Sequence, residues 1–244
     1  VQTDEVRADF TGVRFDGSNN IIGGTLTQDT YRLNTDGTVG NKKSHSETVF
    51  DADGNPKSSV TKNYDKNEVQ TDEVRADFTG VRFDGSNNII GGTLTQDTYR
   101  LNADGTVGNK KSHSETVFDA DGNPKSSVTK NYDKNEVQTD EVRADFTGVR
   151  FDGSNNIIGG TLTQDTYRLN ADGTVGNKKS HSETVFDADG NPKSSITKNY
   201  DKNEVQTDEV RADFTGVRFD GSNNIIGGTL TQDTYRLNAD GTVG

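Results

Sequence analysis

The oxygen-bearing side chains of this sequence fall at alternate positions of short polar clusters, the spacing at which a calcium loop places its first ligands. Asp51, Asp53 and Asn55 occupy positions 1, 3 and 5 of one cluster, as do Asp119, Asp121, Asn123 and Asp187, Asp189, Asn191 in two others. Asn34-Asp36-Thr38 and Asp16-Ser18-Asn20 echo the pattern. Calcium takes six to eight oxygens, and an EF-hand closes its shell with a bidentate Glu at position 12. Counted from Asp51, that place holds Lys62. Asp and Asn also serve tight turns through Asx hydrogen bonds. Turn geometry is therefore the preferred reading, and calcium shared between successive copies of the turn is the alternative.

His45, His113 and His181 each stand in Lys-Lys-Ser-His-Ser-Glu. Ser44, Ser46 and Glu47 complete the residue types of a hydrolase triad, but adjacency in sequence is not triad geometry. A solvated strand face is expected instead, no catalytic residue is assigned, and the chain is read as a non-enzyme. Gly23-Gly24 after Ile21-Ile22 lacks both the Gly-x-Gly-x-x-Gly pattern and a following helix, so it predicts a bend or a close backbone approach rather than a phosphate loop. With no cysteine in the chain, disulfides, thiolate zinc sites and thiol catalysis are all excluded.

These clusters recur because the chain is a tandem repeat. Val1-Gln2-Thr3-Asp4-Glu5 returns at Val69, Val137 and Val205, dividing the chain into repeats at 1–68, 69–136 and 137–204 and a partial one at 205–244. Two columns vary. Thr35 is replaced by Ala103, Ala171 and Ala239, while Val60 and Val128 give way to Ile196. Starting on a repeat boundary and stopping inside a repeat, the sequence reads as a window on a longer polymer.

The elements that must position the polar clusters are strands. Clusters at Phe15–Asn20, Leu33–Gly37, Phe50–Pro56 and Tyr64–Glu68 punctuate each repeat, leaving four strand-sized segments between them. Glu5-Val6-Arg7-Ala8-Asp9-Phe10 alternates apolar with charged residues, the period of a half-buried strand. The phase slips after Phe10, and Thr11-Gly12 marks the expected bulge. A faint half-repeat sets Thr11–Asp16 over Ser46–Asp51 and Tyr31 over Tyr64, which suggests two hairpins per unit. The predicted fold is all-β, a tandem array of stacked β-hairpins with about four strands per 68-residue repeat; a parallel β-solenoid is the alternative.

A hydrophobic content of 27% and an aromatic content of 7% leave material for only a thin core between sheet faces. The net charge is −12, spread evenly: residues 69–136 carry 11 acids and 8 bases. An acidic chain of this kind argues against nucleic acid and anionic membrane surfaces as partners, and no apolar run reaches the length of a membrane-spanning helix.

Two local resemblances follow from the turn motifs. Tyr31-Arg32-Leu33-Asn34-Thr35-Asp36-Gly37 and Val49-Phe50-Asp51-Ala52-Asp53-Gly54-Asn55 resemble the hairpins of choline- and glucan-binding cell-wall repeats. The stretch from Phe50 through Pro56 to Val60-Thr61 is similar to the Tyr-Asp repeats of bacterial Rhs-type shell proteins. Each covers ten to fifteen residues per motif. Cell-wall binders pave their sites with Trp, absent here, and identity over 68 residues is the usual pattern of neither family. The resemblances imply a bacterial surface or extracellular tandem β-repeat protein.

Near-identical units present identical edges, which favours propagation by strand pairing or stacking between copies. The expected function is a structural component of an extracellular or cell-surface fibre, filament or stalk, partnered by copies of itself. A multivalent adhesin for glycans or surfaces and a calcium-rigidified spacer are the alternatives.

Overall fold

The fold was analysed in a computed structural model that describes residues 4–219, 225–238 and 241–242. Counterparts of two turn clusters in the fourth copy, 220–224 and 239–240, lie outside the described residues, as does the opening Val1. Among the described residues the regular structure is entirely β.

The first copy contains β1 (Asp4–Asp9), β2 (Val13–Phe15), β3 (Ile21–Leu33), β4 (Val39–Phe50) and β5 (Pro56–Tyr64). The second contains β6 (Gln70–Asp77), β7 (Val81–Phe83), β8 (Ile89–Leu101), β9 (Val107–Phe118) and β10 (Pro124–Tyr132). The third repeats the order as β11 (Gln138–Asp145), β12 (Val149–Phe151), β13 (Ile157–Leu169), β14 (Val175–Phe186) and β15 (Pro192–Tyr200). The partial copy supplies β16 (Gln206–Asp213), β17 (Val217–Phe219), β18 (Ile225–Gly228) and β19 (Thr231–Arg236).

Two compact units are present, residues 1–121 with 132–137 and residues 122–131 with 138–244. In the first, β3, β4, β5, β6, β8 and β9 form an antiparallel meander, with β1 and β2 along the free side of β3 and β7 continuing the line of β6 against β8. In the second, β13, β14, β15, β16 and β19 follow the same plan, with β11 and β12 on β13, while β17 and β18 pair with each other. The sheet is open rather than closed into a barrel, and these ladders are antiparallel throughout, so the hairpin array is the observed architecture and the parallel solenoid is not.

Five strand segments per repeat lie on four lines. The step from Asp77 to Val81 is opposed by the shorter step from Thr95 to Gly92, so an extra residue is accommodated at Phe78-Thr79-Gly80, the copy of the predicted bulge. There the Phe78 N–H donates to Lys57 carbonyl at 2.9 Å and the Thr93 N–H to Gly80 carbonyl at 2.8 Å. Gly91 and Gly92 have φ of 125° and 95°, and a methyl group on Gly92 would collide with the Gly80 carbonyl. The Gly-Gly pair is thus the close backbone approach that its sequence context implied.

All four predicted clusters are turns of one design. In the third, the Asp51 N–H donates to Asn55 carbonyl at 2.9 Å, the Gly54 N–H returns to Asp51 carbonyl at 3.3 Å, and Gly54 takes φ of 80°. Asn19, Gly37 and Glu68 hold the equivalent left-handed position in the other three. This is the three-residue hairpin loop, a type I turn followed by a residue with positive φ.

The expected thin core between sheet faces is not what forms. Val13, Val81 and Val149 are the buried hydrophobic residues among those described, and no large side chain is fully buried. Within each unit, the extensive element-to-element contacts join ladder neighbours. Cross-strand rows do the work of a core. One face carries His45–Lys62–Glu73–Tyr99 and Glu47–Val60–Arg75–Asp97; the other carries Ser46–Thr61–Val74–Thr98 and Thr48–Ser59–Ala76–Gln96. Alternation thus sorts long charged residues to one face and short, mostly hydroxylated ones to the other.

Candidate functional site

At the β4–β5 turn, Asp51 Oδ1 accepts the N–H groups of Asp53 at 3.0 Å and Asn55 at 2.9 Å. The counterpart Asp187 accepts those of Asp189 and Asn191 at the same distances, and the Asp121 N–H donates to Asp119 at 3.0 Å. The first oxygen of each calcium-spaced cluster therefore closes its own turn. Asp53 is exposed, whereas the side-chain oxygens of Asn55 and Asn191 are buried and accept no hydrogen bond. Among the described residues, no three His, Cys, Asp or Glu side chains gather in a metal-holding group.

The same Asx chemistry governs the neighbouring turns. The Asn20 side chain, with the Asn20 and Ser18 N–H groups, holds the Asp16 carboxyl below the usual carboxylate range. Val69 and Asn67 N–H groups do so for Asp65, the Thr38 hydroxyl and N–H for Asp36, and the Thr79 N–H for Asp77.

His45 is not on a freely solvated face. Its Nδ1 lies 2.8 Å from Asp29 Oδ1, which also receives Lys42 Nζ at 2.9 Å, and its Nε2 lies 3.5 Å from Glu47. The cluster recurs as His113, Asp97, Lys110 and Glu115 and as His181, Asp165, Lys178 and Glu183. Burial pushes the Asp29 carboxyl up, but hydrogen bonds from Lys42 and His45 outweigh it and hold it below the usual range. Asp29 orients the ring as the acid of a triad would, yet Nε2 faces a carboxylate, and Ser44 and Ser46 follow the alternation to the opposite face.

Three further constellations gave no signal in the sequence. Arg100 Nη1 donates to the carbonyls of Lys110 at 2.8 Å and Asp133 at 3.0 Å, and its Nη2 to that of Tyr132 at 2.5 Å, fastening the turn after β10. Arg32 and Arg168 do likewise in their own copies. Glu136, at φ of 62°, accepts the Lys110 N–H at 2.9 Å, while Asn109 donates to Lys134 carbonyl at 2.8 Å. Glu73 is buried against Arg75, with Nη2 at 2.8 Å, and Arg75 lies 4.8 Å above the centroid of Tyr99. Apart from Glu73 and Arg75, two residues apart on one strand face, these contacts span spacings that no local motif would reveal.

Two clefts meet at Lys57 and Thr79. One, of about 360 Å³, is lined by Ser58, Val60, Arg75, Asp77 and Thr95; the other, of about 380 Å³, by Asn55, Pro56, Phe78, Val81 and Phe83. The pair recurs in the second unit around Lys193 and Thr215, with volumes of about 310 and 400 Å³.

No family model matches the chain, and no curated protein does. Among solved structures, a Bacteroides fragilis protein of unknown function is similar at 8% identity and a TM-score of 0.32, over 55% of this chain and 87% of that one. A TcdB2-TccC3-TEV structure aligns at 11% identity and a TM-score of 0.14, over 95% of this chain and 14% of that one, and a TcdB2-TccC3 structure at 8% and 0.14, over 88% and 17%. At such TM-scores these likenesses bear on neither family nor activity. What stands is a chain of tandem β-strand repeats.

Proposed function

We propose that the chain is a segment of a structural array, a fibre or stalk displayed outside the cell, built by continuing the same sheet from one copy to the next. The observation that carries this reading is the junction between repeats. β5 of one copy pairs with β6 of the next from Ser58↔Asp77 to Tyr64↔Gln70, and β15 pairs with β16 in the identical register from Ser194↔Asp213 to Tyr200↔Gln206. Both junctions are thus ladders as complete as those within a repeat, with no linker between the copies they join. Main-chain pairing transmits tension and adds a fixed length per copy, which is the work of a spacer.

Four strand lines at the usual strand spacing give an increment of roughly 19 Å per repeat along the hydrogen-bonding direction. Chains of three, five and seven copies, compared by small-angle scattering and electron microscopy, are expected to lengthen by that increment. Separate rods would identify a stalk, and end-to-end filaments a fibre. A dimension that stays constant as copies are added, or compact particles, would overturn the reading. Protease shaving of intact producing cells tests the location: release of repeat fragments supports display, and full protection argues against it.

A further inference from the structure

The paired clefts that meet at Lys57 and Thr79 contain hydrogen-bonding capacity the chain does not use. The Ser58 and Thr95 hydroxyls line the first cleft and have no hydrogen-bond partner among the described residues. Asn55, in the second cleft, carries a buried amide oxygen with no donor, as does Asn191 in the other unit. Buried acceptors are nearly always satisfied, so this oxygen marks the second cleft as a place where a donor is wanting. The charged groups alongside, Lys57 apart, are already engaged. Arg75 is bound to Glu73, Asp97 receives His113 and Lys110, and Asp77 accepts the Thr79 N–H at 2.8 Å.

Apart from the Lys57 ammonium, which joins no ion pair among the described residues, the remaining capacity is neutral, and it adjoins apolar surface from Val60, Phe78, Val81 and Phe83. An anionic ligand would meet Asp51 and Asp77, and a cation would meet Lys57. Neutral hydroxyls joined to apolar ring faces are the chemistry of a saccharide, whose C–H faces lie against aromatic rings while its hydroxyls bond to Ser, Thr and Asn. We propose that this double cleft is a binding subsite for a neutral saccharide, present at Lys57 and Lys193, with the first of its two clefts also formed at Lys125. Recurrence gives a long glycan several weak contacts at fixed spacing, and avidity grows with copy number. This inference is independent of the mechanical role: a spacer that fails to bind sugar remains a spacer.

The test uses the full 244-residue chain with cellohexaose, maltohexaose and chitohexaose as neutral probes and a hyaluronan hexasaccharide as the anionic one. Saturation-transfer NMR and calorimetry are expected to show saturable binding of at least one neutral probe. A variant with Ser58→Ala and Thr95→Val, repeated at Ser126, Ser194, Thr163 and Thr231, is expected to bind about tenfold more weakly, as loss of two neutral hydrogen bonds implies. Amide-shift mapping on the unaltered chain supplies a readout that does not depend on the variant folding. Perturbations at residues 55–60, 78–79 and 95 and their repeat equivalents support the site. No saturable neutral binding, preference for the anionic probe, perturbations elsewhere, or a folded variant that binds as the parent does would each overturn it.

Discussion

Arg32, Arg100 and Arg168 each hold a β-turn to its neighbouring hairpin through carbonyl oxygens alone, so replacing all three with Met removes the bonds while keeping most of the aliphatic stem. Arg100 makes three such bonds, to Lys110, Asp133 and Tyr132. A bond from a charged donor contributes about 1.5–3 kcal/mol, but these carbonyls are only part-buried and water regains access to them. A net loss of about 2 kcal/mol per turn is the reasonable figure, equivalent to a roughly 30-fold rise in local opening. Amide exchange followed by mass spectrometry reads this directly. Substitution in every copy is necessary because peptides from the repeats have the same mass. The fastened turns, 65–69, 133–137 and 201–205, are expected to exchange roughly 30-fold faster. The turns at 16–20, 84–88 and 152–156 lie outside these arginine contacts and serve as internal controls. Equal acceleration of both turn classes would mean general loosening, and no change in either would mean that the arginines hold nothing. Either result refutes the reasoning.

Four other substitutions or conditions follow from the same geometry. Gly92→Ala forces a methyl group against the Gly80 carbonyl at φ of 95° and should cost about 2 kcal/mol in urea unfolding, whereas Gly85→Ala, with open space around it, should stay within about 0.5 kcal/mol. Arg75→Gln strands the buried Glu73 and should cost about 2 kcal/mol, partly restored by adding Glu73→Gln in a double-mutant cycle. Asp51→Ala removes the acceptor for two turn N–H groups and should cost about 1 kcal/mol, with Asp51→Asn retaining part of it; chelator should leave the melting temperature unchanged, and a fall of many degrees would return these turns to the role of calcium ligands. Asp16, Asp36, Asp65 and Asp77 titrate below the ordinary range, so their stabilisation is fully present above the unfolded-chain value of about 4 and is lost as pH falls through the lower folded values. Melting temperature should therefore drop below about pH 4; a maximum in that acid range would contradict the assignment.

Much of the fold was legible because it is local. Turn positions follow from Asp, Asn and Gly within five residues, strand phase from alternation within six, and the bulge from the slip between Phe10 and Val13. The sheet's single-layer energetics were not legible, because the sequence reports how much apolar material exists but not whether it faces another layer. His45 shows the limit at the residue level. Its chemistry depends on Asp29, which lies sixteen positions away and is brought opposite by the β3–β4 register. The arginine fastenings and the clefts at Lys57 depend on contacts across more than one hairpin, and composition carries no trace of them.

The near-identity of the copies has a physical basis in the exposed edge. Val6, Phe10 and Phe15, beside β1, are 54%, 50% and 45% exposed, while their counterparts Val74, Phe78 and Phe83 are half-buried because β5 of the preceding copy lies along β6. Every repeat must therefore both offer a covering strand and receive one, so a change on either surface is felt in two places. Of the two columns that do vary, one lies on the covering strand itself, where Val60 pairs with Arg75 and Ile196 with Arg211. Position 35 lies in an exposed turn, whether Thr35, Ala103 or Ala171 occupies it, and the methylene that Ile196 adds to Val60 enters an open cleft, where Ile196 remains 38% exposed. Ile196 thus shows that the covering strand accepts added volume where its side chain faces an open cleft rather than a packed neighbour.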